Sequence, residues 1–233
     1  MDPEATNQLP TWLRWLILIA VILTFGGVAF LLHERRRLAL ERLAEELGLT
    51  HHEHGGTGVA LPPTHALQTS RGDWEARWMI QGRIGRFAVT VAELRCVTDP
   101  AKGSTRGYPV TLVVLDPLGD EIPDFLLRPE TMGQRIAAAV SGQDIDFPDS
   151  TRFSRRFRLT GNVQNDEHAI RELFTPDVRA HFERHPGRIT QVIDGRLYHW
   201  QPPKMLRFLG FQLRKIRTLI REGVEVGERL TSK

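Results

Sequence analysis

The chain contains a single cysteine, Cys96, so no internal disulfide holds it together. An exported domain of this size more often carries paired cysteines, and one unpaired thiol fits a reducing compartment. Assembled catalytic motifs are missing too. In residues 103–107, GSTRG, serine stands second rather than third, which excludes a nucleophile elbow. Lys102-Gly103 reverses the order that a phosphate-binding loop needs. No basic groove interleaved with aromatics and no nucleic-acid motif occurs, so nucleic acid is not an expected partner. There is no repeat of fixed period and no nucleophile–base pair in the sequence. The expectation is therefore no catalytic residue, no cofactor and no metal-ligand set.

Charge is absent from one stretch altogether. Residues 16–32, LILIAVILTFGGVAFLL, carry neither an acid nor a base. Trp12 and Trp15 lead into this run, and His33-Glu34-Arg35-Arg36-Arg37 closes it. At a rise of about 1.5 Å per residue, a helix over 12–32 matches the thickness of a hydrocarbon core. Arg14 lies one turn from the start, where a long side chain reaches the headgroups beside the two tryptophans. Thr24 can bond back to its own helix, and glycine such as Gly26 and Gly27 is common in lipid. A buried core helix would show an amphipathic face, and this run has none.

A cleaved leader wants a basic start and a small-residue cleavage site. Here the opening MDPEATNQLP is acidic, and no such site precedes the arginine cluster, so the segment is expected to stay attached. One arginine, Arg14, flanks the run on its N-terminal side, whereas Arg35, Arg36, Arg37 and Arg42 flank the other. The positive-inside rule places the N-terminus outside and the rest of the chain in the cytoplasm. The expected layout is a short periplasmic segment (1–11), a transmembrane helix (12–32), a helical stalk (33–48), a linker loop (49–72) and a cytoplasmic domain (73–233). Trp12, Arg14, Trp15, Arg35, Arg36 and Arg37 form the membrane interface. The net charge of +3 owes part of its excess to this cluster, where each base contributes about 1 kcal/mol of attraction to anionic headgroups.

Residues 33–47 carry Leu38, Leu40, Leu43 and Leu47 as a partial apolar stripe, with Gly48 where a helix end wants glycine. The segment 49–72 is rich in Gly, Pro and His and reads as a linker. From Asp73, residues 74–81 alternate with a period of two and predict a strand. A second strand runs over 86–97, a polar hairpin loop over 98–108, and a third strand over 110–115. A short strand at 124–128 leads into a helix opened by Pro129-Glu130, which buries Met132, Ile136 and Val140 and stops at Gly142.

Residues 153–159 predict a further strand, and 166–174 a short helix capped by Asn165. Thr175-Pro176-Asp177 supplies a capping hydroxyl, a proline at the first position and an acid in the first turn of the next helix. Residues 189–193 and 196–200 form a hairpin across Asp194-Gly195. Pro202-Pro203 opens a closing helix to about Arg221 or beyond. The fold class is α+β, with a mostly antiparallel sheet, interleaved helices and a long C-terminal helix.

In the second half, DFLLRPE (124–130), DIDF (144–147), FSRRFRLTG (153–161) and LFTP (173–176) occur in that order. This succession resembles that of an uncharacterised family of bacterial, single-pass, membrane-anchored proteins, over residues 43–221. The resemblance implies an anchored cytoplasmic domain; it implies no activity and transfers no functional residue.

Several polar groups invite chemistry. His51, His52, His54 and His65 with Glu53 fit no known ligand spacing and suit a solvated linker better. His181 and His185 are four apart on a predicted helix, as zinc pairs can be. The metalloprotease pattern, however, needs Glu directly after the first His, and Phe182 stands there. A bare pair at a helix end reads as surface, and His185 suits the helix dipole. Asp144, Asp146 and Asp149 lack the glycine and closing Glu of a calcium loop and suit a turn. Arg71-Gly72-Asp73 is a chance match on the cytoplasmic side. The closing helix presents Lys204, Arg207, Arg214, Lys215, Arg217 and Arg221 with no acid between them, opposite an apolar face. That helix is expected to pack on the sheet through its apolar side with a solvated basic face, and the functional alternative is that the same bases meet anionic lipid headgroups or a protein partner.

The functional expectation is a non-enzymatic scaffold on the bacterial inner membrane, an accessory subunit whose partners are other membrane-protein subunits. The alternative is a membrane-tethered enzyme, or a lipid- or small-ligand-sensing domain, using the Asp144/Asp146 region.

Overall fold

The computed structural model describes residues 10–53, 73–99, 104–130, 145–161, 166–202 and 213–232. The chain divides into two compact units, residues 1–42 and 43–233.

Helix α1 (Thr11–Glu46) supplies the first unit and runs on into the first residues of the second. Every residue from 14 to 32 is exposed, including Phe25 and Leu23. Thr24 Oγ1 donates to the carbonyl of Ala20 at 2.7 Å, so its hydroxyl is satisfied within its own helix. Beyond the apolar run, Arg37 is clasped between Glu34 and Glu41, with Nη1 2.8 Å from Glu41 Oε1. These pairs sit three and four residues apart, the spacing that brings side chains together on a helix. By length and composition α1 is long and apolar enough to cross a membrane, and none of its apolar window is buried. That is compatible with membrane anchoring; a signal sequence near an N-terminus meets the same criteria.

The second unit is α+β. Its eight strands are β1 (Leu49–Glu53), β2 (Asp73–Ile84), β3 (Phe87–Asp99), β4 (Ser104–Asp116), β5 (Phe125–Pro129), β6 (Phe157–Gly161), β7 (Ile189–Ile193) and β8 (Arg196–Trp200). All neighbours pair antiparallel in the order β1-β2-β3-β4-β8-β7-β5-β6. The first four strands follow one another as a meander. The sheet then continues through β8, which meets β4 from Leu112↔Trp200 to Leu115↔Leu197.

β3 and β4 are apolar on both faces. Ala92, Leu94, Leu112, Val114, Tyr198 and Trp200 form a core cluster on one side. On the other, Phe87, Val113, Leu115 and His199 meet helix α5 (Leu213–Thr231), whose Gly223 and Gly227 let its backbone come close. A Cβ at Gly227 would lie 2.7 Å from Leu115 Cδ1. At the β5–β6 end, helices α2 (Thr151–Arg156), α3 (Glu167–Leu173) and α4 (Pro176–Arg184) contribute to an aromatic cluster. Phe174 is at its centre, with ring centroids 5.0 Å from Phe125 and 6.0 Å from both Phe153 and Phe182.

Local signals placed several elements correctly. Asp194 (φ 49°) and Gly195 (φ 68°) make the left-handed two-residue turn that joins β7 to β8. Thr175 Oγ1 accepts from the Val178 amide, with proline at the start of α4.

Other expectations need correction. Leu49–Glu53, read as the start of a linker, is an edge strand paired with β2 from Leu49↔Gly82 to Glu53↔Trp78; residues 54–72 lie outside the described residues. The loop read over 98–108 is shorter, since β3 reaches Asp99 and β4 begins at Ser104. A register shift between Ala76 and Trp78 breaks the strict alternation read over 74–81, leaving Trp78, Met79 and Ile80 all buried. The strand read from Phe153 starts only at Phe157, because 151–156 form α2. The helix expected from Pro129 lies outside the described residues beyond Glu130. The closing helix, expected to about Arg221 or beyond, is described from Leu213 and does run on to Thr231.

Candidate functional site

Helix α4, the turn after it, the β7–β8 hairpin and α5 bring one group of polar side chains together. Gly187 (φ 90°) turns the chain after α4 and sets Arg188 just ahead of β7. From α4 and its end come His181 and His185, whose ring centroids are 4.8 Å apart. From the sheet come Thr190 and His199, which face each other across β7 and β8. From α5 come Glu222 and Glu225.

Glu222 is the hub. It belongs to the buried face of α5, with Leu219, Gly223 and Val226 beside it. Its Oε2 accepts from Arg188 Nε at 2.5 Å, and its Oε1 lies 3.0 Å from His185 Nδ1. His199 Nε2 approaches Oε2 to 3.9 Å, within ionic reach but too far for a hydrogen bond. Burial, the largest influence, opposes the charge on Glu222, yet His199, Arg188 and His185 together hold its carboxyl down at about 2. It is thus ionised at neutral pH and can only accept, so His185 donates from Nδ1.

Both remaining imidazoles are buried. Desolvation, reinforced by His185, Arg229, Arg184 and His199, depresses the pKa of His181 to about 4. Desolvation likewise keeps the His199 ring neutral against the pull of Glu222. His199 Nδ1 is 2.9 Å from Thr190 Oγ1, while its Nε2 is buried without a hydrogen-bond partner.

Thr190, His199 and Glu222 thus stand in a hydroxyl–imidazole–carboxylate line. Neither Thr190, at 0% exposure, nor His199, at 1%, is open to a substrate. Glu222 is held by Arg188 and His185, and the buried hydroxyl and imidazole present no nucleophile.

The exposed side of the group differs. His181 Nδ1 is 3.8 Å from Glu225 Oε2. His181, His185 and Glu225 each offer one donor atom, all within 4.8 Å of one another. His185 and Glu225 are partly open to solvent. Two imidazoles and a carboxylate are a donor set suited to a borderline divalent ion. The sequence reading of His181 as a surface residue is therefore corrected, since His181 is 2% exposed.

Residues singled out from the sequence are otherwise dispersed. Trp12, Arg14, Trp15 and Arg35 are exposed on α1. Arg214, Arg217 and Arg221 lie on the exposed face of α5, whereas Lys204 and Arg207 fall outside the described residues. That face is not purely basic: Arg217 pairs with Glu46, and Arg221 Nε is 3.7 Å from Glu225 Oε1. His51 and His52 are neighbours on β1, where successive side chains point to opposite faces; His54 and His65 lie outside the described residues. Asp146 is exposed, with its backbone carbonyl accepting from Arg171, and Asp149 is committed to Arg179. Asp144 lies outside the described residues.

Glu222, Glu225 and His199 were missed in the sequence. The available signal was a carboxylate three residues after Leu219 and four before Val226, on the apolar side of the helix. No family model, no curated protein and no solved structure matches the chain.

Proposed function

We propose that this is a single-pass protein of the bacterial inner membrane, with its N-terminus outside and its α+β domain in the cytoplasm. That domain acts without catalysis of its own, as a scaffold or accessory subunit that stabilises a larger membrane complex. The reading extends the resemblance, expected over residues 43–221, to an uncharacterised family of anchored bacterial proteins. The observation that carries it is α1: among the described residues none of its apolar window is buried, and four arginines at its C-terminal side oppose one at its start. The exposed bases Arg214, Arg217 and Arg221 add a surface for anionic headgroups or an acidic subunit.

The test has two arms. The full chain should stay with membranes through an alkaline carbonate wash, and its C-terminal domain should resist protease in spheroplasts but not in inverted vesicles. Purified from native membranes in mild detergent, it should keep fixed-ratio partner subunits through size exclusion. Release by carbonate overturns the anchor, protease sensitivity in spheroplasts overturns the orientation, and migration as a lone monomer overturns the accessory role.

A further inference from the structure

We infer that His181, His185 and Glu225 form a binding site for one divalent transition-metal ion of the zinc class, lying between helices α4 and α5. The inference goes beyond the scaffold reading and does not depend on it.

The donors come as a pair of imidazoles one helical turn apart on α4 and a carboxylate from a second helix, with one donor atom of each within 4.8 Å of the others. Four-coordinate zinc, with bonds of about 2.0–2.1 Å, holds its ligands about 3.4 Å apart. The 3.8 Å between His181 Nδ1 and Glu225 Oε2 is close to that spacing and too long for a hydrogen bond. The two groups face each other without a shared proton, and a cation between them would satisfy both.

A second, independent feature supports the site. Metal-ligating histidines usually donate their other ring nitrogen to a carboxylate, which fixes the tautomer and turns the lone pair toward the ion. Here Glu222 Oε1 accepts from His185 Nδ1 at 3.0 Å, which orients the ring and leaves Nε2 as the nitrogen that Glu222 does not engage. Glu222 is itself held by Arg188 and stands 3.9 Å from the buried, unpartnered Nε2 of His199. This buried shell orients the imidazole and is not consumed as a ligand. The exposed sides of His185 and Glu225 supply the entry path and leave a coordination position open to water.

Positive charge nearby does not close the site. Arg188 is bound to Glu222, and Arg229 is paired with Asp177. Arg221, which reaches Glu225 Oε1 at 3.7 Å, is itself 69% exposed and free to swing into solvent. Arg184 lies on the exposed side of α4.

The experiment uses the full-length chain without a purification tag, in detergent micelles, stripped with chelator and titrated with cobalt(II), then with zinc(II). One equivalent of cobalt should give the intense visible absorption of a site with fewer than six ligands, and zinc should displace it. Glu225→Gln, at a partly exposed position, should weaken cobalt binding at least a hundredfold while the circular dichroism of the fold is retained. Glu222→Gln should weaken it about 10- to 100-fold through the lost orienting bond. Failure of the native chain to bind cobalt overturns the inference. So does tight one-to-one binding that survives both Glu225→Gln and His185→Gln, which would place the ion elsewhere, for example at the histidines near β1. Should His181→Gln not fold, the Glu225 and His185 variants decide the matter alone.

Discussion

Arg179 and Asp149 form a two-pronged ion pair, with Nη1 to Oδ1 and Nη2 to Oδ2 both at 2.7 Å. Parallel bonds of this kind fix direction as well as distance. The guanidinium also lies 4.6 Å from the centroid of Phe147, so the contact ties the loop before α2 to α4 over the aromatic cluster.

The pair makes stability depend on pH in a defined direction. Hydrogen bonding to Arg179 holds the Asp149 carboxyl below its ordinary value. The contribution is therefore fully present above the unfolded-state value of about 3.9 and is lost as pH falls through the depressed folded value. Urea midpoints of the native chain and Asp149→Asn should differ at pH 6 and converge as the pH is taken below about 4. A gap that stays constant over that range would contradict the assignment.

Removing the charge on Glu222 should be costly, because it leaves Arg188, only 14% exposed, without its counter-ion. Glu222→Gln is expected to lose about 3 kcal/mol of unfolding free energy. The double variant Glu222→Gln/Arg188→Met should recover a substantial part of that loss. A cycle with no coupling between the two positions would remove Glu222 from its place as hub.

Three glycines should separate by what a Cβ meets. At Gly161 it would lie 2.3 Å from Ile170 Cδ1 and 3.1 Å from the backbone oxygen of Asp124, which cannot move aside cheaply. Gly161→Ala is expected to destabilise by about 2–3 kcal/mol. At Gly227 the 2.7 Å contact is the flexible end of Leu115, and part of the strain is offset by the helix preference of alanine, worth about 1 kcal/mol. At Gly223 the nearest atom is 3.2 Å away, so Gly223→Ala should be close to neutral. Thermal unfolding in detergent gives the order; Gly223 as the most sensitive position would show that α5 packs differently.

Phe174 holds the aromatic cluster together, in contact with four other rings. Its truncation to alanine is expected to cost about 3–5 kcal/mol, and Phe174→Leu markedly less. Equal effects of the two substitutions in chemical denaturation would mean that the cavity collapses without penalty.

Elements with strong local chemistry were legible in the sequence. The Asp194-Gly195 hairpin needs positive φ at both residues, and Thr175-Pro176 writes a helix start in two letters. The α+β class and the antiparallel sheet followed from periodicity and turn signals, and the long apolar helix from an uncharged run. Residues 153–156 were misread because Phe153 and Phe157 suit either a strand or the inner side of a single helical turn. The loop at 49–53 hid an edge strand because histidine has no marked strand preference and pairing with β2 supplied the order. Basic residues drew attention to α5, yet its central feature is one acid on the buried side. His181, His185, Glu222 and Glu225 come from two neighbouring helices far apart in the sequence, and no spacing rule in one segment encodes such convergence.

The seam between β4 and β8 also bears on how the chain is made. β1 to β4 can zip up as neighbouring hairpins while they emerge from the ribosome, but the partner for β4 runs from Leu197 to Trp200, much later in synthesis. During that interval Leu112 to Leu115 present an apolar strand with unpaired backbone groups, the arrangement most prone to sticking to another nascent chain. Burial of that edge therefore waits on the last strands of the sheet, and the order of synthesis leaves the β4 edge open longer than any other edge that the meander goes on to pair.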